Sequence, residues 1–280
     1  MTIGIGKRGG LRCLLPAYAC AAILLGDEAP RAAEATDSVG TALVVSVDVS
    51  GSVDETRYRL QMEGIAGALE DAQVLASIEA SGGIAFAMVA WADTARLAVG
   101  WRRIASKAEA QAAARLVRAV PRQPGEFTCI GRMMRTVAAT VLPALPVPAD
   151  RTVVDVSGDG IDNCTDTDDI REQRQSLVQA GTTVNGLPIL VPGENDVVGV
   201  GAFRAPGYGL RELPKQADRD GTTLDAWYRE HVVAGPGAFL LAAQGYGDFA
   251  RALRQKFVLE ISGLKIAPDR GLPPTNVVSR

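Results

Sequence analysis

A single histidine, His231, serves the whole chain of 280 residues, and that scarcity removes a good deal of chemistry. It excludes a multi-histidine metal centre and argues against a Ser-His-Asp triad. In its amphipathic helical stretch, His231 reads as a surface or packing residue. Aromatic residues are few, at 5% of the chain, and no basic cluster interleaves with them. With a formal net charge of −3, this argues against a general nucleic-acid binder. Catalytic signatures are missing as well. Ser50 and Ser157 lack the G-x-S-x-G context of an elbow nucleophile, and Asp48-Val49-Ser50 lacks the second aspartate of the D-x-D phosphotransferases. The acids Asp162, Asp166, Asp168 and Asp169 do not follow the spacing of an EF-hand loop, and read as a solvated loop and helix start.

No apolar run is long enough to span a bilayer. The run from Cys13 to Leu25 has about thirteen residues and is interrupted by Pro16. Lys7, Arg8 and Arg12 precede it, and Ala33-Glu34-Ala35 follows, so residues 1–35 read as a signal peptide cut near Ala35. Cys20 is a poor lipoprotein site, because Ala17-Tyr18-Ala19 before it does not fit a lipobox. Cleavage leaves 25 basic and 29 acidic residues, a net charge of −4, and no transmembrane anchor. The expected location is periplasmic or secreted. At 47% hydrophobic residues, the remainder can bury one sizeable core. The expected organisation is one domain over 36–262, an insertion at about 190–222 and a flexible tail over 263–280.

Strands and helices alternate. Strands are expected at Ala42–Asp48, 83–91, Arg96–Trp101, Thr152–Ser157, Thr183–Ile189 and Ala238–Ala243. Helices are expected at 54–69, 106–120, Arg132–Leu142, 168–180, Leu224–His231 and Tyr246–Glu260. Tyr58, Met62, Ile65 and Leu69 line one face of the first helix. Asp93-Thr94 joins two strands into a hairpin. The fold class is therefore α/β: a doubly wound, mostly parallel central sheet with one antiparallel edge strand and helices on both faces. Ligands of such sheets lie at the carboxyl ends of the strands, where the strand order reverses.

Asp48-Val49-Ser50-Gly51-Ser52 lies at such an end, and its carboxylate and hydroxyls are an oxygen-only set suited to a hard divalent cation. A competing reading makes Ser52 and Glu55 a capping box and Asp48 a turn former. Thr128 stands before a helical run, in Gly125-Glu126-Phe127-Thr128-Cys129-Ile130-Gly131. Asp159 follows a second apolar strand, in Ser157-Gly158-Asp159-Gly160. Alone, these two read equally well as an N-cap and a turn former. Together, D-x-S-x-S, a Thr before a helix and an Asp in a glycine-flanked turn resemble the metal-ion-dependent adhesion site of von Willebrand factor A-like domains. The resemblance covers about residues 40–260. The stretches Arg151–Gly160, Asn185-Gly186-Leu187-Pro188-Ile189 and Gly235-Pro236-Gly237-Ala238-Phe239 look like an uncharacterised bacterial exported family within that fold.

The resemblance implies a metal site of Asp48, Ser50, Ser52, Thr128 and Asp159. The hydroxyls of Ser50, Ser52 and Thr128 would bind directly, while Asp48 and Asp159 balance charge and orient water. Mg2+ is the expected cofactor, with Ca2+ or Mn2+ as alternatives, and no catalytic residues are implied. An open coordination position would take an Asp or Glu carboxylate from an unidentified protein ligand. If the loops of Thr128 and Asp159 meet at one cation, Cys129 and Cys164 are neighbours and pair as a disulfide in an oxidising compartment. Two buried free thiols, or zinc ligation, are the alternatives. The functional expectation is an exported, cation-dependent protein-binding module that is not an enzyme. An exported structural domain without metal and a metal-assisted hydrolase are the competing readings. The insertion leaves the carboxyl end of its strand on the side of the cation, so it is expected to overhang the site or to be a surface insertion without ligand contact.

Overall fold

The computed structural model describes residues 38–123, 125–165, 167–199 and 221–263. The expected signal peptide, the tail after Gly263 and residues 200–220 of the insertion lie outside the described residues.

The sheet is built on an apolar run that has no polar face. All ten residues of β1, Val39–Asp48, are buried, as are all eight of β2, Ile84–Trp91. Strands of this kind need cover on both sides. β3 (Ala95–Ile104), β4 (Ala149–Gly158) and β5 (Thr182–Pro188) complete a sheet ordered β3-β2-β1-β4-β5. β1 runs parallel to β2 and β4, and β4 runs parallel to β5. β3 is the antiparallel edge strand expected from the hairpin.

Helices cover both faces. Leu43, Val45 and Val47 of β1 pack with α1 (Glu55–Glu70), α2 (Ala72–Ala80), α3 (Lys107–Arg118) and α7 (Phe249–Ser262). Val44 faces the other layer, made by α4 (Ile130–Thr136), α5 (Thr167–Gln179) and α6 (Leu224–His231). His231 is buried there against Trp227, with ring centroids 4.9 Å apart. The chain leaves β1 for β2 on one side and returns to β4 on the other. The carboxyl ends of β1 and β4 therefore flank the switch point, the place where such sheets hold ligands.

Four local expectations are corrected. Asp54, not Ser52, caps α1: its side chain accepts from Arg57 N, and Ser52 turns elsewhere, so no capping box forms. The helical density after residue 70 was not anticipated. Asp71 adopts an extended conformation that ends α1, and its carboxylate caps α2. The helix expected to run to Leu142 loosens into a π turn over Val137–Val141 and a 3-10 turn with Pro143, which has no N–H to donate. The strand expected at Ala238–Ala243 makes only isolated bridges to β5, Gly186 to Leu240 and Ile189 to Ala243. Gly235-Pro236-Gly237 turns in front of it, with positive φ at Gly235 and Gly237.

Beneath the sheet, Lys256 on α7 is fully buried and pairs with Asp155 on β4 at 3.0 Å and with Glu260 one turn on. Asn185 Nδ2 donates to Glu260 Oε1 at 2.8 Å. One ammonium thus faces two carboxylates. Burial, the largest influence, raises the Glu260 carboxyl from an ordinary 4.5 to about 7, against the pull of Lys256. A carboxyl that keeps its proton longer in the folded than in the unfolded chain favours folding most at acid pH, and this advantage is lost as pH rises from 4.5 to about 7. Glu260→Gln removes that titration. In urea unfolding at a series of pH values, the stability of the wild type relative to Glu260→Gln is expected to fall across this window; a pH-independent difference would contradict the assignment.

Candidate metal centre

Three loops at the switch point carry the five anticipated oxygen side chains, and each loop is fixed by hydrogen bonds of its own. The first follows β1. Asp48 is fully buried, its Oδ1 accepts from Ser50 N at 2.8 Å, and its main-chain oxygen accepts from Gln61 Nε2 of α1 at 3.0 Å. Val53 N closes the turn onto Ser50 O at 3.0 Å. A Cβ at Gly51 would stand 3.2 Å from Glu126 O, so glycine lets this loop lie against the next one.

The second loop is held from both sides. Asp93, in the β2–β3 hairpin, accepts from Glu126 N and Phe127 N at 3.0 and 2.8 Å. Asn163 accepts from Thr128 N and returns its own N–H to Thr128 O. Cys129 and Cys164 form the anticipated disulfide, with Cα atoms 5.2 Å apart. Asp162 is not the solvated acid that the sequence suggested. It is buried and accepts from Gly131 N, Cys164 N, Thr165 N and Thr165 Oγ1, which ties the third loop to the start of α4.

The third loop places Asp159 just after β4. Its Oδ1 accepts from Ser52 Oγ at 2.6 Å, its Oδ2 from Tyr246 OH at 2.9 Å, and its main-chain oxygen from Asn195 Nδ2 at 2.8 Å. Ser52 Oγ lies 3.3 Å from Ser50 Oγ, and Thr128 Oγ1 donates to Ser50 Oγ at 3.3 Å. Thr128, Ser50, Ser52 and Asp159 thus form one continuous chain of polar contacts, and Asp48 joins it through Ser50 N. All five anticipated residues converge.

The residues present fit a cation. Asp48 Oδ2 is buried without a hydrogen-bond partner. Burial first, and the charge of Asp159 second, push the Asp48 carboxyl up to about 8. An unpaired buried carboxylate beside a second one is costly until a positive charge arrives. Among the described residues, no group of three or more His, Cys, Asp or Glu side chains could hold a metal. The set here is instead two acids and three hydroxyls, all hard oxygen donors suited to Mg2+ or Ca2+. Ser50, Ser52 and Thr128 could hold such an ion, with Asp48 and Asp159 supplying charge.

Several site residues escaped the sequence reading. Arg57 and Gln61 lie on the turns of α1 that face the loops, yet only the apolar stripe of that helix was read. Gln61 carried a signal, being a polar residue between Tyr58 and Met62 on a buried face. Tyr246 and Tyr228 left no local signature. Tyr228 OH is buried and, like Asp48 Oδ2, without a partner. A Cβ at Gly158 would stand 2.8 Å from the Tyr228 hydroxyl and 2.9 Å from Asp48 Oδ2, so glycine opens the space between them. Of the insertion, the described part does reach the site, through Asn195 and Glu194.

A family model described as "Protein of unknown function (DUF1194)" matches residues 38–265. A search of curated proteins finds no match. Among solved structures, proximal thread matrix protein 1 from the mussel byssus is similar in its second crystal form at 12% identity and a TM-score of 0.55, covering 80% of this chain and 49% of that one. The same mussel protein "with zinc occupied MIDAS motif" is similar at 13% identity and a TM-score of 0.51, covering 80% and 48%. A von Willebrand factor type A structure from Catenulispora acidiphila matches at 17% identity and a TM-score of 0.49, covering 80% and 43%. The chain spans about half the length of these solved relatives. At such identities the likeness to the mussel protein, with TM-scores above 0.5, establishes the fold alone.

Asp48→Asn keeps the acceptor for Ser50 N and removes the buried charge. In chelator at pH 8, this variant is expected to unfold about 1–3 kcal/mol harder than the wild type, while added Mg2+ stabilises the wild type only. Thermal melts with and without Mg2+ read both effects. A less stable variant in chelator would show that the carboxylate is not the strained group.

Proposed function

We propose that this chain, which belongs to the DUF1194 family of proteins of unknown function, is an exported, divalent-cation-dependent protein-binding module. The observation that carries the reading is the convergence of Asp48, Ser50, Ser52, Thr128 and Asp159 around a buried carboxylate oxygen that lacks a partner. Mg2+ is the cation of choice, with Ca2+ or Mn2+ as alternatives, because the donors are all oxygen. In the mussel protein of similar fold the MIDAS motif holds zinc, so zinc belongs in the same titration. With three neutral hydroxyls and two carboxylates around it, a dication stays electrophilic enough to draw a carboxylate from a partner protein. Export is supported by the basic and apolar start of the sequence and by the disulfide beside the site.

We read the module as a binder and not an enzyme. The two phenols beside the site, Tyr228 and Tyr246, are both pushed well above the ordinary phenol range, chiefly by burial and then by the nearby aspartates. Neither can serve as a general base near neutral pH. Phosphatase and esterase screens with Mg2+ are expected to be silent.

Calorimetric titration of chelated protein with Mg2+, Ca2+, Mn2+ and Zn2+ tests the cation. Binding to the wild type and none to a folded Asp48→Ala variant is the expected result, because the site lies at the rim of the sheet. No heat and no gain in melting temperature with any of the four ions would instead favour a structural domain. Global unfolding of Asp48→Ala would show that the carboxylate belongs to the core.

A further inference from the structure

Arg57, in the first turn of α1, brings a guanidinium against the rim of the cation site. Its Nη1 lies 3.7 Å from Asp159 Oδ2 and donates to Ser52 O at 3.0 Å. Its planar group sits over the Tyr246 ring, 5.1 Å from the centroid. A carbonyl, a ring and a ligand loop therefore hold it in place. The remaining arm, Nη2, meets Glu194 Oε1 at 2.5 Å.

Glu194 belongs to the start of the insertion, and its neighbour Asn195 anchors that segment. Asn195 Oδ1 accepts from Val191 N, and its Nδ2 donates to Ile189 O and Asp159 O. The loop is thus pinned to the metal centre, while the Glu194 side chain stays 52% exposed at its edge. Glu194 is held below its usual range by the hydrogen bond from Arg57.

A fixed positive charge beside a cation site is a liability, because like charges repel. An anion on the outer arm of Arg57 relieves the repulsion, and Glu194 supplies it from within the chain. Glu194 is exposed and Arg57 half-buried, so it is the Glu194 carboxylate that an outside one can replace from solvent at little cost. A guanidinium already positioned by a carbonyl and a ring offers the arm that Glu194 vacates to an incoming carboxylate with little further ordering.

We propose that Arg57 is a second anchor for the partner. The module reads an acidic protein segment with two neighbouring carboxylates, one taken by the cation and one by Arg57, and Glu194 is the internal carboxylate that the second group displaces. This rests on the reading of the site as a cation-dependent protein-binding centre.

The test uses two end-blocked, glycine-flanked peptides on a sensor surface, one with a single aspartate and one with two aspartates separated by glycine. Binding is measured at saturating Mg2+ and in chelator. Wild-type protein is expected to prefer the two-acid peptide in Mg2+. Glu194→Gln should tighten that peptide about threefold and leave the one-acid peptide nearly unchanged. Arg57→Gln should weaken the two-acid peptide about fivefold to the level of the other, at a Mg2+ concentration that calorimetry shows to saturate the variant. Arg57→Lys should restore part of the preference, which a role confined to propping Ser52 would not require. Mg2+-dependent binding without preference, or a preference that survives Arg57→Gln, overturns the second anchor alone. Binding of Mg2+ with no Mg2+-dependent capture of either peptide overturns the protein-binding reading and the anchor with it.

Discussion

The buried carboxylate of Asp48 is the constraint around which this molecule is arranged. One of its oxygens is satisfied by the main chain of its own turn, and the other has no partner. Parallel pairing of β1 with β4, which sets Val47 against Ser157, brings Asp159 to the same end of the sheet as Asp48, so the topology brings two acids together where the sheet opens. Either a proton or a cation must relieve this, and the two compete for the same oxygen. The surrounding hydroxyls offer additional oxygen donors to an ion. Ser52 Oγ and Tyr246 OH already donate to Asp159, but no hydroxyl donates to Asp48 Oδ2.

Binding at such a site gains from donors that are already in place. Each of the three loops is tied down by an amide or acid side chain bonded to its main chain: Gln61 to Asp48, Asp93 and Asn163 to residues 126–128, and Asn195 to Asp159. Asp162 and the Cys129–Cys164 bridge lock the second loop to the third. Closing a loop of that size by a disulfide stabilises a fold by roughly 3–4 kcal/mol in the chain-entropy model. Here it also fixes the distance between two donor-bearing loops. The hydroxyls therefore hold their spacing through contacts that no cation has to make.

Much of this was legible in the sequence, because the signals were local. The apolar run ending at Asp48, the glycine-flanked Asp159 and the Thr128 before a helix each reported their own element. The mostly parallel sheet with its antiparallel edge strand followed from alternation and one hairpin. The residues that completed the site were legible only after folding. Arg57 and Gln61 were concealed within a helix read for its apolar stripe, and Tyr246 sits far along the chain from Asp159. Asp162 was misjudged for a related reason. Four acids in eight residues resemble a solvated loop, and nothing local shows that one of them meets three backbone N–H groups. The segment at Ala238–Ala243 had the composition of a strand, but it meets the sheet only through isolated bridges.

β4 and the turn that follows it carry two buried aspartates four residues apart, Asp155 and Asp159, and their treatment differs. Asp155, under the sheet, is given a cation by the fold itself: Lys256, fully buried at 3.0 Å. Asp159, at the rim, shares its surroundings with Asp48, and the guanidinium nearest to it is 3.7 Å away and already engaged by Glu194. The chain thus neutralises a buried carboxylate where the need is structural. At the rim it places two carboxylates, three hydroxyls and an arginine whose charge is already matched. The fold supplies Lys256 in one place and leaves Asp48 Oδ2 without an equivalent, and that asymmetry is the physical support for the proposed dissociable cation at the switch point.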